Sequence, residues 1–292
     1  MKKRPGCFPS PRRSEETKRK VTIVFILLLS SFLSACEFEI PSLGAPTLTP
    51  SPTSQYRAIV MNCDDWALIN RGDYQARNNT WNKGDITDWH QCIGLGYDHD
   101  GSLMARWEWD WPESPTVVAF PCILFGHVPP VDATTESIPI HLSEINSATV
   151  SYEIESEHTG RGNLAFDIWL MDTHSPSYWT APPVTHEIMI WLDSYGDMNP
   201  AGSLVDQVTI DGIQYEVYVA EDFGFGQRYI AFASETSLLG SRIINFVSFF
   251  SYLSEQDLVT GDEYLAAIEL GNEIDGPSVG ETNVNRYVVS VE

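Results

Sequence analysis

The most chemically suggestive stretch of the 292-residue sequence is Thr185-His186-Glu187-Ile188-Met189-Ile190-Trp191-Leu192. Read as a strand, it puts Glu187, Met189 and Trp191 on one face and turns Ile188 and Ile190 into a core. A solvated strand face usually carries Thr, Lys or Gln, so a carboxylate in a row with a thioether and an indole fits a cleft floor. Two other stretches repeat the pattern. In Ile268-Glu269-Leu270-Gly271-Asn272-Glu273 the two glutamates share a face, and Gly271 between them removes bulk beside the acids. In Phe166-Asp167-Ile168-Trp169-Leu170, Asp167 and Trp169 share a face. Any one of these acids alone also fits a satisfied strand glutamate or aspartate. Acids gathered on the cleft side of separate strands raise one another's pKa, so one carboxyl keeps its proton beside an ionised neighbour.

The elements that must position these acids are strands. From Arg57 onward, short runs rich in Val, Ile, Tyr, Phe and Trp alternate with Gly, Pro, Asn and Asp clusters. Val208-Thr209-Ile210, Asp211-Gly212 and Ile213 to Val219 read as a hairpin on a two-residue turn. One segment has helical spacing: Ile243, Phe246, Val247, Phe250 and Leu253 predict a single amphipathic helix over Ser241 to Leu253, capped by Ser241 and packed on the outside of a sheet. The fold class expected is all-β, a jelly-roll β-sandwich of two curved antiparallel sheets with one helix. Its concave face would form a groove long enough for a stretch of polymer. With 9 Trp, 12 Tyr and 13 Phe, the chain holds more aromatic surface than its core requires, and flat rings suit the apolar faces of pyranoses.

Outside this domain the composition changes. Eight Lys or Arg precede the apolar run Val21 to Phe32, which is too short to span ~30 Å of hydrocarbon at ~1.5 Å per residue. Residues 1–35 therefore read as a secretory signal, and Leu33-Ser34-Ala35-Cys36 resembles a lipobox that would lipidate Cys36; an ordinary cleavage site is the alternative. Residues 36–55 read as a Pro/Ser/Thr-rich tether, and residues 56–292 as one domain. The localisation expected is extracytoplasmic, lipid-anchored to the cell envelope or secreted. The net charge of −23 becomes −29 once residues 1–36 are set aside, since 9 basic groups then face 38 acidic ones. That surface repels nucleic acid and anionic polysaccharide and leaves a neutral polymer unaffected. Cys63, Cys92 and Cys122 remain for an oxidising compartment, as one pair and a leftover; Cys122, in an apolar run, reads as a buried structural thiol. No metal or other cofactor is expected. His186-Glu187 lacks the second histidine of a zinc helix, and neither a phosphate loop nor a Gly-x-Ser-x-Gly elbow occurs.

In chain order, several motifs resemble glycoside hydrolase family 12, the endoglucanases and xyloglucanases. They are Cys63-Asp64-Asp65-Trp66, Asn78-Asn79-Thr80-Trp81, Arg106-Trp107-Glu108-Trp109, Phe120-Pro121 with Gly126-His127, Phe166 to Leu170, Glu187-Ile188-Met189-Ile190-Trp191, Tyr195-Gly196-Asp197 with Pro200 and Gly202, and Gly271-Asn272-Glu273. The resemblance implies retaining endo-hydrolysis of β-1,4-glucan by a monomer, with Glu187 as nucleophile, Glu273 as acid/base and Asp167 assisting the nucleophile. It implies sugar contacts from Asn79, Trp81, His127, Trp191 and the Pro200 loop; Met189 and Glu269 complete the expected lining. It also implies a Cys63–Cys92 disulfide. Glu269 occupies a position often held by glutamine. After Glu273, Ile274-Asp275-Gly276 departs from the Pro and aromatic residue of many members, which removes an aromatic wall, and Asn82 replaces the usual Gly after Trp81. The alternatives are a xyloglucan-specific endo-hydrolase, a related xylanase and, in another class, a non-catalytic lectin-like sandwich.

Overall fold

Alternating apolar residues of the kind found in Trp107-Glu108-Trp109-Asp110-Trp111 bury one strand face and wet the other, and the described residues are built largely from strands. The computed structural model describes residues 59–129, 132–174 and 183–292. The expected signal (1–35), the lipidation site Cys36 and the tether (36–55) lie outside the described residues. The strands are β1 (Leu68–Arg71), β2 (Tyr74–Arg77), β3 (His90–Tyr97), β4 (Leu103–Trp111), β5 (Val117–Ala119), β6 (Cys122–Gly126), β7 (Ile140–His141), β8 (Ala148–Met171), β9 (Val184–Tyr195), β10 (Ser203–Ile210), β11 (Ile213–Phe223), β12 (Gln227–Ser234), β13 (Gly240–Asn245) and β14 (Tyr264–Val291). One α-helix, α1 (Phe246–Glu255), separates β13 from β14.

Two long strands organise the rest. β8 and β14 pair antiparallel along almost their whole lengths and change their other partners part-way. The first half of β14 pairs with β6, and its second half, beyond a register shift between Asp275 and Val279, pairs with β4. Correspondingly, β8 pairs first with β13 and then with β9. The result is a wide curved sheet in the order β1-β2-β6-β14-β8-β9-β12-β11-β10 and a narrower one, β3-β4-β14-β8-β13, which share β8 and β14. At the crossing, Gly160 has a φ of +91°, and an added Cβ would stand 2.0 Å from the Pro277 carbonyl oxygen. Only glycine fits so close a backbone approach.

The core lies between the two sheets, where Ile93, Trp107, Ile154, Ile168, Ile188, Phe232 and Leu270 belong to one cluster. Trp107, Trp109 and Trp111 are buried, and each indole N–H is satisfied, by Asn272 (2.7 Å), Ser278 (3.0 Å) and Gln91 (2.9 Å). Much of the aromatic content thus serves the core rather than a sugar site. Asp211 (φ 50°) and Gly212 (φ 83°) form the expected tight turn between β10 and β11.

The helix differs from the expectation in start, cap and face. Gly240–Asn245 is a strand paired with β8, with Ile243 72% exposed and Ile244 buried. The unpaired edge of β8 recruits this segment, and sheet pairing overrides its helical spacing. The helix begins only at Phe246, capped by Asn245, whose side chain accepts from Val247 N at 3.2 Å. Its stripe of Phe246, Phe249, Phe250 and Leu253 belongs to the main core, not to the outside of a sheet. Each buried phenylalanine stabilises by roughly 1.5–3 kcal/mol.

Candidate active site

Three neighbouring strands, β14, β8 and β9, supply the acids. On each strand the residues flanking the acids are core: Ile268, Leu270 and Ile274 around Glu269 and Glu273, Phe166 and Ile168 around Asp167, and Ile188 beside Glu187. Period two therefore turns all four carboxyls to the face opposite the core. The register sets Glu269 opposite Asp167, Glu273 opposite Asn163 and Glu187 opposite Trp169. Met189 and Trp191 share this face, in a separate apolar cluster with Ala165, Tyr229 and Ala231.

Each glutamate is held by named donors. Gln227 Nε2 donates to Glu187 Oε2 at 2.6 Å. Asn163 Nδ2 donates to Glu273 Oε2, and Asn163 Oδ1 accepts from the Glu273 backbone N–H at 3.2 Å. Glu269 accepts from Arg77 Nη1 at 3.0 Å, from Trp169 Nε1 at 3.3 Å and from the Cys122 thiol at 3.3 Å. Asp167 Oδ1 is buried with no hydrogen-bond partner among the described residues.

Burial, reinforced by neighbouring charge, makes Glu187, Glu273 and Asp167 reluctant to ionise. Burial pushes Glu187 up to about 8, opposed by the Gln227 hydrogen bond and reinforced by the charges of Glu273 and Glu269. Burial likewise pushes Glu273 up to about 7, against the Asn163 hydrogen bond and with help from Asp275. Asp167 is held well above the usual carboxylate range, by burial first and then by Glu187, Glu269 and Glu273.

The other expected residues are spread around this row. Asn79, two positions beyond the end of β2, accepts from Trp81 N at 3.0 Å, and Trp81 is 57% exposed. His127 and Pro200 are half-buried on loops that follow β6 and β9. Cys63 and Cys92 form a disulfide that ties the segment before β1 to β3. Cys122 is buried and free, but it lies on the cleft side, beneath Glu269. Where an aromatic wall was expected to be missing, Asp275 is buried and paired with Arg161 Nη1 at 3.2 Å.

Sequence reasoning missed Asn163, Gln227 and Arg77. Asn163 was within reach, because 163, 165, 167 and 169 alternate onto one face of β8. Gln227 and Arg77 carry no comparable local signal, since strand pairing alone brings them to Glu187 and Glu269.

The model of one family, glycosyl hydrolase family 12, matches residues 72–292. The chain belongs to that family. Its relatives include Endoglucanase S of Pectobacterium parmentieri, 29% identical over 237 residues that span 79% of this chain and 86% of the relative. A xyloglucan-specific endo-β-1,4-glucanase A of Aspergillus aculeatus is 26% identical over 255 residues, 86% of this chain and 98% of the relative. Among solved structures, the native family 12 xyloglucanase from Bacillus licheniformis superposes with a TM-score of 0.70 at 27% identity, covering 80% of this chain and all of that one. The jelly-roll sandwich is therefore the family's fold, and the reaction is the family's endo-acting hydrolysis of β-1,4-glucan with retention.

Proposed function

We propose that Glu187 is the nucleophile, Glu273 the acid/base and Asp167 the residue that assists the nucleophile by sharing a proton with it. The observation that carries this reading is the register: two glutamates on the strands flanking β8 share one sheet face, with Asp167 on β8 between them. In the first step a Glu187 oxygen bonds to the anomeric carbon while the glycosidic C–O bond breaks and Glu273 protonates the leaving oxygen. In the second, water attacks the same carbon, Glu273 takes its proton, and the bond to Glu187 breaks. Taken singly, the two glutamates have the wrong order, with Glu187 above Glu273. They are linked, however: once Glu273 holds its proton, as an acid must, one of the two charges raising Glu187 disappears. Glu187→Gln and Glu273→Gln should each abolish turnover of unactivated glucan while leaving the fold intact. A Glu187→Gln enzyme with most of its activity would remove the assignment.

The substrate proposed is linear or mixed-linkage β-1,4-glucan, bound by a monomer with contacts from Asn79, Trp81, His127, Met189, Trp191, Pro200 and Glu269. The second reading, xyloglucan, is supported by the Bacillus licheniformis structure and by the buried Asp275 where many members carry an aromatic wall. Initial rates on carboxymethyl-cellulose, mixed-linkage glucan and xyloglucan decide between them. The proposed location is the outer side of a membrane, through lipid on Cys36 and the tether 36–55. Replacing Cys36 by Ala should release the enzyme from the membrane fraction.

A further inference from the structure

A polar row crosses the cleft floor obliquely to the strands: Arg77 on β2, Cys122 on β6, Glu269 on β14, Asp167 on β8, Glu187 on β9 and Gln227 on β12. Its Arg77 end is unusual for the floor of a site for a neutral polymer. Arg77 is 8% exposed and reaches across β6 to pair with Glu269, which is 4% exposed. Glu269 stands directly opposite Asp167 and is fixed by three donors, so its charge cannot swing away from the acids. Arg77 Nε is buried with no hydrogen-bond partner among the described residues, so the guanidinium is committed to this ion pair at some desolvation cost.

We propose that Arg77 and Glu269 are a positioning pair for the nucleophile: a buried ion pair whose negative end faces Asp167 and Glu187 and whose positive end limits that charge. This rests on Glu187 being the nucleophile. The ionisable groups facing Glu187 are Asp167 from β8, Glu269 and Glu273 from β14, and Tyr229 from β12, whose phenol is held well above its usual range. Arg77 and Cys122 meet this group through Glu269. When Glu273 is protonated for catalysis, Glu269 is the remaining charge that resists ionisation of Glu187. Burial, Asn163 and Asp275 set Glu273, so the pair acts on one half of the machinery only.

The test is the pH profile of kcat/KM on a soluble β-glucan, whose acidic limb reports ionisation of the nucleophile and whose alkaline limb reports loss of the proton from the acid. Glu269→Gln keeps the acceptor oxygen and removes the charge. Two strand spacings across and two residues along from Glu187 (~12 Å), that change should move the acidic limb down by about half a pH unit. Arg77→Gln should move it up by a few tenths, and the double variant should move it down by less than Glu269→Gln alone; the alkaline limb should stay put in all three. The double variant, a neutral amide pair, serves if either single variant fails to fold. A uniform loss of rate with both limbs unmoved, or shifts in the same direction in both single variants, would overturn the proposal. Glu187→Gln run alongside separates the failures. If it is dead while the limbs do not move, only the pair's role falls; if it is active, the nucleophile assignment falls as well.

Discussion

Removing the charge of Glu187 should stabilise the protein at alkaline pH while destroying its activity. The carboxyl sits at about 8 in the folded protein, against an ordinary value of 4.5. A group raised on folding contributes stability that is complete below the unfolded value, near pH 4.5, and is lost as pH rises through about 8. The parent enzyme therefore weakens across that window, and Glu187→Gln, which lacks this one titration, weakens less, since Glu273 and Asp167 still titrate there. The full linkage over such an interval is about 5 kcal/mol. Glu187 is half-buried, and the other acids of the row readjust when its charge goes, so roughly 1–3 kcal/mol should survive at pH 8.5. For a domain of this size that is a gain of about 3–9 °C in Tm. The packing cost is small, because the Gln oxygen still accepts from Gln227. Differential scanning calorimetry of both proteins at pH 4.5 and 8.5 gives the comparison, and the difference in Tm should open as pH rises. An equal offset at both pH values, or a variant less stable at pH 8.5, would refute the claim that burial destabilises this carboxylate.

Other outcomes follow from neighbouring contacts. Asn163→Ala removes the hydrogen bond that opposes the burial of Glu273, so the alkaline limb of the rate profile should move to higher pH, measured on the same soluble glucan. Replacing Cys63 and Cys92 together by Ser opens a link between residues 29 apart in sequence and should cost about 2–4 kcal/mol, read as a lower denaturation midpoint that no longer responds to reductant. Asn245→Ala removes the α1 cap and should cost about 1 kcal/mol in urea unfolding, whereas Ser241→Ala should cost almost nothing.

The acids were legible because strand geometry is local. Once Ile188, Ile190, Phe166, Ile168, Ile268 and Leu270 are taken as core, their alternating neighbours must face the other way, and Glu187, Asp167, Glu269 and Glu273 are among those neighbours. Their partners were not legible, because partners depend on which strands lie side by side. Gln227 reaches Glu187 only because β12 lies parallel beside β9, and no turn chemistry announces a parallel pair. The helix failed for a related reason. Spacing alone allows Ile243 and Phe246 to share a helix face, but the free edge of β8 ends the choice at Asn245. The tryptophans misled in the opposite direction, because a row such as Trp107, Trp109 and Trp111 says which face is apolar without saying whether sugar or protein covers it.

The same two strands carry the core and the acids, and this ties the site's chemistry to the stability of the sheet. On β14, Leu270, Asn272 and Ile274 face inward while Glu269, Gly271 and Glu273 face the cleft. Asn272 anchors its inward side through Trp107, Thr282 and the Asn163 carbonyl, at 2.7 Å, 2.8 Å and 2.8 Å. Asn163 in turn holds Glu273 on the opposite face. A break in the inner network would therefore be transmitted through one residue to the acid/base carboxyl. Asn272→Ala should thus do two things at once: leave the buried Trp107 indole without its acceptor, at a cost of about 1–3 kcal/mol, and loosen Asn163. If the loosened Asn163 matters, the alkaline limb moves upward in Asn272→Ala as it does in Asn163→Ala. If stability falls while the limb stays fixed, the two faces of β14 are independent and the coupling argued here does not exist.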